Sequence, residues 1–371
     1  MNKFTKANAN PKEKPEIGEI NDISSNKNVN KESKNKTLKK TNQTNESELN
    51  GDRVASNNDV NLRPLTFDDY IGQEKAIKNL KIFIQASKIE NEAMPHTIIQ
   101  GSAGLGKTTL ANIIANEMGA NIYYTSAPAI EKPYELVMLL TKLEKGDILF
   151  IDEIHRLKIN LEELLYLALE DRVVDVSIKR DFEESKTIRM TLEEFTLIGA
   201  TTKIGSLSKP LIDRFSINIG LQPYSQSELM QIVNNVAIKQ NIKVDEDALR
   251  EIADRSRTVA RVALKNFKIA SSYAIVQNSS HLTKEITIEA LENMGILKYG
   301  FSDYDISYLK ALQGKKRGLS LKALTSIIMQ SEESVINIIE PFLLANQLVT
   351  VTSAGRKITE LGENALREFN V

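Results

Sequence analysis

Gly101-Ser-Ala-Gly104-Leu-Gly106-Lys107-Thr108 carries the most specific chemistry in this chain of 371 residues. It satisfies G-x-x-x-x-G-K-[S/T]. It stands between the apolar run Thr97-Ile-Ile-Gln100 and residues at helical spacing (Leu110, Ile113, Ile114, Met118) that end at Gly119. Glycines let successive backbone N–H groups turn onto phosphate oxygens, and a helix N-terminus adds partial positive charge. Lys107 is then placed for the β- and γ-phosphates of a bound nucleotide, and Thr108 for Mg2+. Further along, Asp147-Ile-Leu-Phe-Ile-Asp152-Glu153 reads as a buried strand ending in two carboxylates. Asp152 is suited to hold Mg2+ through water, and Glu153 to polarise the attacking water. A general base favours turnover over passive binding.

Other groups are less specific alone. Phe195-Thr-Leu-Ile-Gly-Ala-Thr-Thr202 reads as a second buried strand, and either Thr201 or Thr202 is placed to sense the γ-phosphate or orient water. Threonine also simply favours strands. Leu211-Ile-Asp-Arg214-Phe215 suits an arginine finger aimed at a neighbouring subunit's nucleotide, worth about 10³–10⁵ in rate. The alternative is a surface ion pair with Asp213. Arg261 is either a γ-phosphate contact within its own subunit or an exposed helix arginine. His155 reads as a packing or hydrogen-bonding residue. The basic clusters Lys315-Lys316-Arg317 and Arg356-Lys357 are either solvated charge or phosphate contacts.

Forty-eight basic and 49 acidic residues give a net charge of −1, which excludes a uniformly basic nucleic-acid coat but not a local patch. The absence of Cys excludes disulfides, thiolate zinc sites and cysteine catalysis. His96, His155 and His281 are too scattered for a His-rich metal site. No apolar run approaches the ~18 residues of a membrane span, and no secretory leader is evident. A soluble cytoplasmic protein is expected.

Residues 1–60 hold 13 Asn, 10 Lys and a single aromatic, Phe4, and are expected to be a disordered tail. Residues 61–222 alternate strand and helix patterns, with strands predicted at 122–125, 148–152, 195–199 and 217–221. This indicates an α/β layer with a largely parallel sheet. Residues 223–297 read as an all-α lid opened by the capping box Ser225-Gln-Ser-Glu228. Residues 298–371 read as a winged-helix unit: helices at 306–312, 321–328 and 334–344, a strand at 348–352 and a turn at 353–357.

Taken together these segments resemble the RuvB family of AAA+ ATPases over roughly residues 62–357. The resemblance rests on Leu62-Arg63-Pro64, Asp69-Tyr70-Ile71-Gly72-Gln73, the run from Leu105 to Gly119, Phe150-Ile-Asp-Glu-Ile-His-Arg-Leu157, Phe195–Thr202 and Glu340-Pro-Phe-Leu343. It implies an AAA+ P-loop ATPase core, an all-α lid and a C-terminal winged helix. It further implies an ATP-driven homohexamer that translocates duplex DNA and migrates Holliday junctions with a RuvA-like junction binder and a RuvC-like resolvase. The nucleotide contacts it implies are Leu62, Arg63, Tyr70, Ile71, Gly104, Gly106, Lys107, Thr108, Thr109, Glu170, Asp171, Arg172 and Tyr224, with Arg214 as trans finger and Arg261 as second sensor. Lys107, Asp152, Glu153, Thr202 and Arg214 would carry catalysis, and Thr108 and Asp152 the metal. Arg356 and Lys357 would contact DNA. A hairpin within 174–190 would dock RuvA.

The chain departs from that pattern in places. Ser102-Ala103 replaces Pro-Pro, Ile212 replaces Arg, and Arg172 stands at an aromatic position. Thr258-Val-Ala260 replaces Gly-Thr-Pro. Val351-Thr-Ser-Ala-Gly-Arg356 retains one of three wing arginines, and each lost phosphate contact reduces the salt slope by about one. The expected hairpin is rich in charge (Lys179, Arg180, Asp181, Glu183, Glu184). The rival readings are a clamp-loader-like AAA+ switch and a nucleotide-gated DNA-binding scaffold with weak turnover.

Overall fold

Alternation along short strands sorts apolar side chains onto two faces of one parallel sheet. The computed structural model describes residues 62–178, 186–279, 281–315 and 317–369. Its first part runs α1 (Glu74–Glu90), β1 (Thr97–Gln100), α2 (Lys107–Met118), β2 (Ile122–Ser126), α3 (Pro133–Leu140), β3 (Ile148–Asp152), α4 (Ile159–Glu170), β4 (Val173–Ile178), β5 (Lys186–Thr191), β6 (Thr196–Thr201), α5 (Lys209–Asp213) and β7 (Ile217–Gly220). Five strands pair in parallel in the order β2-β3-β6-β1-β7. Ile99, Ile148, Phe150, Ile198 and Ala200 pack on one face with Leu80, Leu110 and Ile114 of α1 and α2. Ile98, Leu149, Ile151 and Leu197 pack on the other with Leu136, Leu161 and Leu165 of α3 and α4. The period of two puts consecutive apolar residues into different layers, so a strand buried on both faces reads as an unbroken apolar run.

β1 lies between β6 and β7, and the glycine-rich loop leaves its C-terminal end. Ligands of open α/β sheets bind at such carboxyl ends. β4 and β5 form a separate antiparallel hairpin in which Val174 faces Met190. Its charged tip (Lys179, Arg180, Asp181, Glu183 and Glu184) lies outside the described residues, as do Lys316 and the residues on which the tail expectation rests.

The lid comprises α6 (Gln226–Lys239), β8 (Lys243–Val244), α7 (Glu246–Asp254), α8 (Ala260–Val276), β9 (His281–Leu282) and α9 (Lys284–Asn293). The expected capping box forms: Ser225 Oγ accepts from Glu228 N, and Ser225 N donates to Glu228 Oε2 at 2.6 Å. The unit is not wholly helical, because β8 pairs in parallel with β9. A two-residue strand has no readable periodicity, and this one exists only because the ends of α6 and α8 meet. Leu229, Val233, Ile252 and Phe267 join the same apolar cluster as Ile219 and Tyr224, so the lid shares the core of the α/β layer.

The C-terminal unit has α10 (Asp303–Leu312), α11 (Leu321–Ile328), a helical rod α12 over 332–345, β10 (Val349–Thr352), β11 (Gly355–Ile358) and α13 (Glu360–Glu368). Tyr308, Leu309, Leu324, Leu343 and Leu366 fill its core. α12 passes from α-helix (Glu332–Ser334) through a π-type stretch (Val335–Ile339) back to α-helix (Glu340–Ala345). Pro341 has no N–H for the preceding turn, and a wider turn accommodates its ring. The turn expected over 353–357 shrinks to Ser353-Ala354, because Gly355–Ile358 pairs with β10. α13 was not anticipated. Its signals are the Thr359 cap, which accepts from Gly362 N at 3.1 Å, and buried Leu366. Among the described residues no helix is long and apolar enough to cross a membrane.

Arg257 and Thr258 both have left-handed backbone (φ 50° and 60°). A β-branched residue there is strained by about 1–2 kcal/mol. Thr258→Gly is therefore expected to raise stability by about 1 kcal/mol, read as a higher urea midpoint; a lowered midpoint would mean that the threonine is not strained.

Candidate active site

Gly101 N donates to Thr201 O at 3.1 Å, tying the start of the glycine-rich loop to the end of β6. The loop then wraps the ammonium of Lys107, which donates to Gly101 O at 2.8 Å and Ser102 O at 3.1 Å. Lys107 is 9% exposed. Burial pushes its pKa down, the charge of Asp152 opposes that, Arg261 reinforces it and Glu153 opposes it. Asp152, Glu153 and Arg261 are thus the charges that act on this ammonium. Gly106 (φ 99°) caps α2 with no side-chain acceptor for the first-turn N–H groups. Such a terminus suits an anion.

Tyr70 and Tyr224, expected beside the nucleotide, back the loop. Their hydroxyls donate to Leu105 O at 3.5 and 3.0 Å and lie 3.2 Å apart. A Cβ on Gly106 would come within 2.7 Å of the Tyr70 hydroxyl, so only glycine fits between the phenols and the loop. Burial raises both phenol pKa values, keeping these groups neutral.

β3 delivers the two carboxylates. Asp152 Oδ1 accepts from Glu153 N at 2.9 Å. Glu153 has φ 49°, a strained conformation of the kind that clusters at functional sites, and its carboxylate accepts from Arg156 at 3.0 Å. The Asp152 carboxylate at the end of β3 and the Thr108 hydroxyl in the first turn of α2 are hard oxygen donors. Magnesium, which keeps several waters, suits that set. Among the described residues no cluster of three or more His, Cys, Asp or Glu offers an all-protein metal cage. Thr201 is fully buried; its hydroxyl meets His155 Nδ1 at 3.1 Å and accepts from Lys203 N at 2.9 Å. Thr202, one residue on, is exposed at the strand's end. His155 thus has the hydrogen-bonding role expected of it, and burial lowers its pKa.

The lid closes over the loop from the other side. Arg261 N donates to Gly104 O at 3.3 Å. A Cβ on Gly104 (φ 85°) would lie 2.7 Å from Val259 and 3.0 Å from Arg261. Arg261 therefore reaches the phosphate loop although Gly-Thr-Pro is absent before it. Gln73 and Gln222 exchange two hydrogen bonds (2.7 and 2.9 Å), clamping the segment after Ile71 to the start of the lid. Ile71, Leu62, Thr108 and Thr109 are half-buried. Leu62 packs on the core and its carbonyl accepts from Lys239 of the lid at 3.5 Å. Arg63 is exposed, and its charge acts on the Tyr124 phenol of β2.

Arg214 belongs to a different cluster. Its guanidinium donates to Tyr166 O at 3.2 Å, Pro210 O at 2.8 Å and the Glu170 carboxylate, and lies 4.7 Å from the Tyr166 ring centre. The ion pair with Asp213 weighed from the sequence does not form; the partner is Glu170. Asp171 and Arg172 are exposed next to it, and Arg172 pairs with Glu194 at 3.0 Å. Glu170, Asp171, Arg172 and Arg214 are thus gathered around the ends of α4 and α5, apart from Lys107. Tyr166, missed in the sequence, stands one helical turn before Glu170; Gln73 and Gln222 have no local signal that would link them.

In the wing, Arg356 and Lys357 point to opposite sides of β11. Lys357 is exposed. Arg356 Nε donates to Glu340 Oε1 at 2.6 Å, and the Tyr308 hydroxyl donates to the same oxygen at 2.8 Å. The arginine side chain is 14% exposed and the glutamate 6%. Glu340 and Tyr308 were not anticipated as partners, because a pairing across the unit has no sequence period.

Gly104→Ala is expected to leave the fold intact but to weaken ATP binding at least about tenfold, because about 1.4 kcal/mol of disturbed lid contact suffices. Fluorescent-nucleotide titration checks this; unchanged affinity would show that lid and loop do not act together.

Three stretches match family descriptions. Residues 62–221 match "Holliday junction DNA helicase RuvB P-loop domain", 224–296 "RuvB AAA lid domain" and 298–367 "RuvB C-terminal winged helix domain". The chain is 45% identical over 298 residues to the Holliday junction branch migration complex subunit RuvB of Campylobacter fetus, covering 80% of this chain and 87% of that protein. It is also 45% identical over 302 residues to the subunit of the same name from Sulfurimonas denitrificans, covering 81% and 89%. The solved Thermotoga maritima RuvB Holliday junction branch migration motor superposes with a TM-score of 0.71 at 35% identity, covering 82% of this chain and 98% of that one. Phosphate loop, lid and winged unit thus match in a single chain and in one order, and the chain belongs to the RuvB family.

Proposed function

We propose that the chain is the ATP-hydrolysing motor subunit of a branch-migration complex, drawing duplex DNA through Holliday junctions beside a RuvA-like partner. Family membership excludes the clamp-loader-like alternative. The observation that supports motor action is the division of its charges. Lys107 and Arg261 both bond to the phosphate loop, where the charges of Asp152 and Glu153 act on Lys107, whereas Arg214 is held by Tyr166, Pro210 and Glu170. A site assembled from two such groups requires neighbouring copies, and a homohexameric ring supplies them. Cytoplasmic chromosomal DNA is the substrate, and a RuvC-like resolvase would act on the migrated junction.

In the site, loop amides and Lys107 bind the β- and γ-phosphates. Glu153 takes the proton of the attacking water, and Thr202 at the end of β6 orients that water or the γ-phosphate. Arg261 grips the same phosphate from the lid. Thr108 and Asp152 would hold Mg2+, which neutralises phosphate charge when bound. Glu170, Asp171 and Arg172 flank the nucleotide of the adjacent copy, and Arg214 stabilises its transition state.

Arg214→Ala and Lys107→Ala subunits are each expected to be inactive alone. Mixed, they should recover part of the ATPase rate, because an intact finger then meets an intact loop. No recovery at any ratio refutes the trans assignment. In the wing, phosphate contact falls to exposed Lys357, with Lys315 and Arg317 on the segment that leads to Leu319, whose backbone pairs with Arg356, while Arg356 braces β11 through Glu340. Duplex titrations against salt check this: Lys357→Ala should flatten the log–log slope by about 0.9, and Arg356→Gln should lower affinity at unchanged slope. Equal flattening by both variants would place Arg356 on phosphate instead. Salt-dependent duplex binding without appreciable ATP turnover would favour the DNA-binding scaffold reading.

A further inference from the structure

The loop between α7 and α8 touches two distant parts of the protein within a few residues. On one side, Thr258 O accepts from Tyr224 N at 3.0 Å, Val259 abuts Gly104, and Arg261 N donates to Gly104 O. On the other side, Arg257 Nε donates to Gly300 O at 2.7 Å, and its guanidinium pairs with the Asp305 carboxylate and lies 3.9 Å from the Phe342 ring centre. Gly300, Asp305 and Phe342 belong to the winged-helix unit. Arg255, 3% exposed, adds a bond to Ile296 O at 2.8 Å, where the lid passes into that unit.

These contacts are built with little tolerance. A Cβ on Gly300 (φ 76°) would come within 2.9 Å of Arg257 Cγ. The Asp305 side chain is 1% exposed, and its Oδ2 also accepts from Ser302 N and Oγ at the start of α10. A guanidinium that donates from Nε to the Gly300 carbonyl and from a terminal nitrogen to one oxygen of a buried carboxylate, beside an aromatic ring, is held from three sides. Two successive left-handed residues, Arg257 and Thr258, make a tight turn between the two sets of contacts. A shift of residues 259–261 against the phosphate loop therefore cannot be absorbed between them and Arg257.

We propose that Arg257 is a positioning residue that transmits occupancy of the phosphate loop to the winged-helix unit. It acts at neither reaction nor DNA contact. It sets the direction of the DNA-binding unit according to where the lid rests on Gly104. This rests on the nucleotide reading of the loop. Coupling of this kind is reciprocal: nucleotide must change duplex affinity by the factor with which duplex changes nucleotide affinity.

The test uses the full chain, a non-hydrolysable ATP analogue and a labelled duplex, each titrated with and without the other. The variant is Arg257→Met with Asp305→Asn, which removes the bridge without leaving a buried unpaired carboxylate. Wild type is expected to show a coupling factor of about 5–150, and the double variant a factor of about one, with each ligand's affinity alone little changed. A purely structural brace would lower stability without erasing the factor. Should circular dichroism show the double variant unfolded, Phe342→Leu, which keeps the ion pair and removes the ring, is expected to reduce the factor. Retention of the wild-type factor in the folded variant overturns the inference. Wild type that binds both ligands without coupling also overturns it, while leaving the nucleotide site intact. Failure of the wild type to bind the analogue overturns the nucleotide reading itself.

Discussion

A buried ammonium sets the terms for the rest of the structure. Lys107 is drawn out of water into a loop whose only compensation from its own residues is two backbone carbonyls. Burial of a charge is costly unless it is paired and hydrogen-bonded. Asp152 and Glu153 must therefore stand at the end of β3, across β6 from the strand that leads into the loop, and the loop must have glycine where side chains would collide. The order β2-β3-β6-β1-β7 puts both carboxylates and the β6 hydroxyls at the same edge as the loop. The sheet is thus a device for bringing chain segments far apart in sequence to one charge.

The same ammonium explains why the lid belongs to the core. Val259 and Arg261 lie against Gly104, Tyr224 lies behind Leu105, and the apolar cluster of the α/β layer continues through Leu229, Val233 and Phe267. A lid that merely covered the site would have its own separate core. One that shares a core with the phosphate loop is built to move with it, as the proposed motor action requires.

Arginines have contrasting duties here, and exposure separates them. Arg255, Arg257 and Arg356 are paired to carboxylates and hold elements of the fold together, Arg257 across the lid and the winged unit. Arg261 and Lys357 are exposed and free to meet an anionic ligand. Arg214 is intermediate: anchored by carbonyls and Glu170, yet at an edge. A basic residue in a sequence motif can serve either duty, and removing one that pairs with a buried carboxylate disrupts structure first.

The sequence determined the class of this protein and the heart of its chemistry. Residues 101–108 and 147–153 are local motifs, in which spacing of a few residues along a loop or strand already dictates geometry, so the phosphate loop, the carboxylate pair and the capping box at Ser225 were legible. The helices and strands that apolar period marked have ends displaced by up to three residues, whereas β11 fell partly in an expected turn and α13 carried no such reading. What only the tertiary structure decided were pairings across long separations: Glu170 rather than Asp213 for Arg214, Glu340 and Tyr308 for Arg356, Gly300 and Asp305 for Arg257, and the β8–β9 bridge inside the lid. Hydrogen bonds and ion pairs reach only a few ångströms, and which side chains come within that reach depends on how whole elements pack. No local pattern encodes it.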